Sequence, residues 1–94
     1  MLEKAAIISD NNPRIFYNLG LLYQAAGRIT ESAAAFEKGL AIDPCHFDLL
    51  YALYALHMNR NDREKSKDAI DKLKRCYPDE QRVTELYQNF YRGI

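Results

Sequence analysis

Apolar residues recur along this chain at helical spacing, and the pattern returns after a fixed interval. Ile15, Phe16, Leu19, Leu22, Tyr23 and Ala26 follow a 3.6-residue period. Asn12 offers a capping side chain ahead of them, and Pro13 loses nothing in a first turn, where its missing N–H has no intrahelical partner. Gly27 stops this helix, because glycine tolerates the left-handed conformation of a helix end. Thr30 is placed to cap a second helix, which buries Ala33, Phe36, Leu40 and, more loosely, Ile42 before Asp43-Pro44 ends it. Leu49, Leu50, Leu53, Leu56 and His57 line a third. Asn61 then takes the turn place of Gly27, asparagine being the next most tolerant residue there. Asp62 caps a fourth helix with Ala69, Ile70, Leu73 and Cys76 inward, closed by Pro78. Asp79 is placed to cap a last helix bearing Val83, Leu86, Tyr87, Phe90 and Tyr91. No segment alternates with period two for long enough to be a strand.

Pro44 and Pro78 lie 34 residues apart, and each closes a similar block. Counting back the same interval from Glu37-Lys38 reaches Glu3-Lys4, so residues 1–9 read as the second helix of an earlier unit. A period of this size implies stacked units, because one helix pair cannot bury its own apolar face. The expected fold is all-α, an α-solenoid of antiparallel helix-turn-helix units in a single domain. Its expected parts are a partial unit at 1–9, repeats at 13–46 and 47–80, and a capping helix at 81–94.

The spaced residues of the first unit spell a known pattern. Phe16-x-x-Leu19-Gly20-x-x-Tyr23, then Ser32-x-x-x-Phe36, Gly39 and Pro44, resembles the tetratricopeptide repeat. Gly20 and Ser32 are small, as close crossing of two helices requires. In the second unit Leu50, Leu53, Ser66, Ile70 and Pro78 fit, but Tyr54 takes the small crossing place, His57 replaces tyrosine and Leu73 replaces a small residue. Either the helices there sit further apart or Tyr54 leans out of the crossing. The resemblance implies a right-handed superhelix and a protein-protein interaction module without intrinsic catalysis.

It also implies a concave groove lined by the first helix of each unit, holding an extended peptide or a partner helix. Projected onto this chain, the groove positions are Arg14, Tyr17, Asn18, Leu21, Gln24 and Ala25, then Asp48, Tyr51, Ala52, Ala55, Met58 and Asn59. The last helix adds Arg82, Glu85 and Asn89. Tyr17, Leu21, Tyr51 and Met58 are large and apolar yet face away from the core in this register. Either they form a recognition surface, for which aromatics and methionine give much contact area, or the C-terminal helix folds back over some of them. One subclass of the family grips a terminal carboxylate with lysine, arginine and asparagine. The corresponding places here hold Tyr17, Leu21 and Ala52, so an apolar or aromatic anchor is expected instead, bound at about micromolar strength.

Composition narrows the alternatives. Hydrophobic residues make up 48% of the chain, enough for the core of one small domain. Lys plus Arg and Asp plus Glu number 13 each, so nothing asks for nucleic acid or an anionic membrane as partner. Lys65, Lys67, Lys72, Lys74 and Arg75 are interleaved with Glu64, Asp68 and Asp71, with Asp68–Lys72 and Asp71–Arg75 expected as i,i+4 pairs on a solvated face. Cys45, His46, His57 and Cys76 do not converge as zinc ligands must, so no metal or cofactor is expected and the cysteines read as thiols. With no secretory signal or membrane span in view, a reducing, cytoplasmic compartment is the default. No phosphate loop, nucleophile elbow or special carboxylate pair supports an enzyme.

Two full units fall short of the usual minimum of about three. Either the chain belongs to a longer array, or its incomplete N-terminal unit self-associates; the register of residues 1–9 favours the first. The expected function is partner binding through the groove. The alternative is a docking segment of a larger enzyme, with the groove filled intramolecularly.

Overall fold

A computed structural model describes residues 12–92, so the partial unit expected at 1–9 lies outside the described residues. The helices are α1 (Pro13–Ala25), α2 (Ile29–Ile42), α3 (Phe47–Asn59), α4 (Arg63–Cys76) and α5 (Gln81–Arg92). They pack in chain order, α1 on α2, α2 on α3, α3 on α4 and α4 on α5, with no strand among the described residues. This is an all-α helical repeat.

Local chemistry sets most boundaries. Asn12 Oδ1 accepts from the Arg14 N–H at 3.0 Å and Asp62 Oδ1 from the Lys65 N–H at 3.2 Å, so both cap as expected. Gly27 and Asn61 both turn left-handed, at φ 81° and 59°. Two expected caps are corrected. Arg28 occupies the N-cap of α2 without a side-chain bond to the backbone of the first turn, and Thr30 lies inside that turn. A cap at Asp79 would start a helix at the next residue, but α5 begins at Gln81. Sequence reasoning missed His46, whose Nδ1 accepts from the Leu49 N–H at 3.3 Å and caps α3.

The core runs between the layers through Phe36, Leu49, Leu50, Leu56, Ile70, Leu73 and Val83, each almost fully buried. Burying each large apolar side chain contributes about 1.5–3 kcal/mol. Ile15 and Leu22, which share the helical spacing of Phe16, Leu19 and Tyr23, are 36% and 67% exposed. Gly20, the buried residue of α1, faces α2 instead, so Ile15 and Leu22 lie off that packing side.

The two crossings differ in build. In the first unit Gly20 admits the Phe36 ring, which a Cβ at that position would overlap. Ser32 Oγ donates across the crossing to the Gly20 carbonyl at 2.7 Å. In the second unit Tyr54 is buried, and its ring meets Phe90 of α5 edge-on at 6.2 Å. Tyr54 therefore leans out of the crossing toward the next helix. Ser66 Oγ donates back within its own helix to the Asp62 carbonyl at 2.8 Å.

The cysteines are not thiols. Cys45 and Cys76 form a disulfide, with Cα atoms 5.7 Å apart, joining the loop after α2 to the end of α4. Their separation of 31 residues hides this proximity in sequence, because it arises only when α3 and α4 pack antiparallel and bring the start of one beside the end of the other. Asp68 and Lys72 pair as expected at 3.4 Å, but the Asp71–Arg75 pair does not form. Asp71 instead pairs with Lys67 at 3.1 Å and accepts from the Tyr91 hydroxyl at 2.7 Å, because α5 brings Tyr91 to that side.

Candidate functional site

The N-terminal end of α3 is held from several directions. His46 caps it, the disulfide anchors the preceding loop, and the Tyr77 hydroxyl donates to the Cys45 carbonyl. Tyr77 also meets the Phe47 ring edge-on, with centroids 5.4 Å apart. Phe47 stacks with Tyr51 at 6.4 Å, and the Arg82 guanidinium of α5 lies 4.8 Å above the Phe47 ring. Lys74 Nζ closes the α4–α5 turn by donating to the Pro78 carbonyl at 3.0 Å and the Thr84 hydroxyl at 3.1 Å.

These contacts shape a pocket of about 470 Å³ between α3 and α5, lined by Phe47, Asp48, Tyr51, Arg82, Glu85, Leu86 and Asn89. Five of the projected groove residues, Asp48, Tyr51, Arg82, Glu85 and Asn89, thus come together in one concavity. Sequence reasoning missed Phe47 and Leu86 as lining. An aromatic beside Asp48 at a helix start was the available signal for Phe47. Helix α5 forms a wall of this pocket and leaves Tyr51 45% exposed.

The α1 positions do not line that pocket. Arg14 and Asn18 are exposed, Leu21 is 40% exposed and Gln24 is half-buried. Tyr17 is half-buried, its ring 6.2 Å from Phe36, so it packs on the core as well as facing outward. On α3, Ala55 is half-buried and Met58 exposed.

A second cleft, of about 450 Å³, lies between α2 and α4 over α3, with Glu37, Leu40, Lys65, Asp68 and His57 in its lining. His57 is buried and its Nδ1 has no hydrogen-bond partner among the described residues. Burial pushes the imidazole pKa below its ordinary value, the carboxylates of Asp62 and Glu37 opposing this. Among the described residues no group of three or more His, Cys, Asp or Glu side chains could hold a metal ion.

A family model described as Tetratricopeptide repeat matches residues 23–90, which take in most of both helix pairs and α5. The chain belongs to the tetratricopeptide repeat family. Repeats of this family generally mediate protein–protein interaction and are non-catalytic. No curated protein sequence matches the chain. Among the described residues no helix is long and apolar enough to cross a membrane.

Proposed function

We propose that this tetratricopeptide repeat chain is a non-catalytic module that binds an extended segment of a partner protein along the face made by α1, α3 and α5. The observation that carries this is the α3–α5 pocket, with the exposed Tyr51 ring in its lining and Leu21 and Met58 exposed on the same projected face. Apolar groups left in water on a groove are the ones whose contact area a partner recovers. The recognition positions are Arg14, Tyr17, Asn18, Leu21, Gln24, Asp48, Tyr51, Ala55 and Met58, with Tyr51 as the main anchor.

The test is affinity capture with the wild-type chain and a Leu21→Ala/Tyr51→Ala variant. Tyr17 is left intact because its ring also supports Phe36. Proteins retained by wild type and lost by the variant, at equal helicity by circular dichroism, support the reading. Equal retention by both removes it. The cytoplasmic default rested in part on free thiols, and the disulfide withdraws that support, since such bonds persist in oxidising compartments. Alkylation of the cysteines at the moment of cell lysis, read by mass, decides between the two.

A further inference from the structure

The α3–α5 pocket carries charge as well as apolar surface. Asp48 and Tyr51 lie three residues apart on α3 and so share a face. Asp48 is exposed and takes part in no hydrogen bond or ion pair among the described residues. Glu85 lines the same pocket from α5, and its polar contact is the Gln81 amide at 3.3 Å. The lining cation, Arg82, is already engaged: its Nε faces Glu80 at 3.3 Å and its guanidinium covers Phe47. Arg14, at the matching place on α1, does not line the pocket.

We infer that the partner segment, on the groove-binding reading above, places an arginine or lysine side chain in this pocket, against the Tyr51 ring and within reach of Asp48 and Glu85. The electron-rich face of an exposed aromatic attracts a cation, and carboxylates complete its neutralisation. Arg82 on Phe47, with Glu80 as its carboxylate, is the same arrangement made within the chain. An anionic ligand would meet two carboxylates here and no lysine.

A random-peptide display library, panned on the immobilised chain, tests this. The comparison arms are the Asp48→Asn/Glu85→Gln variant and Tyr51→Ala as the groove control. Peptides recovered on wild type should be enriched in arginine or lysine, and the enrichment should vanish on the Asp48→Asn/Glu85→Gln variant. A recovered peptide remade with citrulline for its arginine should bind wild type about fivefold more weakly, and should lose less on that variant, where only the Tyr51 ring still attracts the charge. Tyr51-dependent peptides without basic residues, or no effect of citrulline, overturn this inference and leave the groove standing. Failure to recover any peptide, or recovery that ignores Tyr51→Ala, overturns the groove reading and this inference with it.

Discussion

The first helix pair closes on itself, whereas the second reaches out to the helix beyond it. Gly20 and Ser32 let α1 and α2 meet tightly around the Phe36 ring. In the second pair the bulk is exchanged: Tyr54 stands where Gly20 stood and Ile70 where Phe36 stood. The tyrosine ring then packs on Phe90, which Arg63 also grips, its guanidinium 4.4 Å from the ring and one of its N–H groups donating to the Phe90 carbonyl at 3.2 Å. A departure from the repeat pattern thus fastens α5 to the array, and α5 supplies the wall of the candidate pocket. Degeneracy at one position and the wall of the candidate pocket at another are two ends of the same packing change.

The largest expected effect comes from removing the reach. Tyr54→Gly deletes a buried ring facing Phe90 and should cost about 3–5 kcal/mol, read as a lower urea midpoint. Tyr54→Phe keeps the ring and should cost far less. Opening the disulfide comes next. It closes a loop of 31 residues around the second pair, and Cys45→Ser/Cys76→Ser should lose about 3–4 kcal/mol. Overfilling the first crossing follows: Gly20→Ala sets a methyl group against Phe36 and should cost about 1–3 kcal/mol. Adding Phe36→Ile should return part of that loss if the two crossings do exchange bulk. A double variant no better than Gly20→Ala alone would break the comparison.

The smallest effect is in the pH dependence of the second pair. Burial favours the neutral His57 imidazole, so the folded chain takes up this proton at lower pH than the unfolded chain does. The associated stability is full above about pH 6.5 and declines as pH falls below that value. His57→Tyr, which restores the residue type of Tyr23 in the first pair, should flatten the difference between urea midpoints at neutral and mildly acidic pH. An unchanged slope would show that the imidazole titrates freely.

Much of this fold was legible because its punctuation is local. Gly27 and Asn61 needed only their own backbone freedom, and Asn12 and Asp62 needed only the next turn to cap. What sequence reasoning could not reach depended on distant partners. Tyr54 could be seen as too large for the crossing, but its destination on Phe90 is set by α5. Asp71 had Arg75 one turn ahead, yet Tyr91 and Lys67 claim it. The disulfide appears only once α3 and α4 pair. At the candidate site, the groove that the family resemblance implies, projected onto the helices, already named Asp48, Tyr51, Arg82, Glu85 and Asn89. That projection was not enough to show Phe47 beneath Arg82, or that Tyr17 leans back on Phe36.

The most direct measurement is a titration of a library-selected peptide, by fluorescence anisotropy, against the wild-type chain, Tyr51→Ala and Leu21→Ala. If the pocket fastened by Tyr54 and Phe90 is the centre of recognition, Tyr51→Ala should weaken binding at least about tenfold, as loss of a central aromatic anchor does, and Leu21→Ala should weaken it less. Affinity unchanged in Tyr51→Ala, with helicity intact, would contradict it.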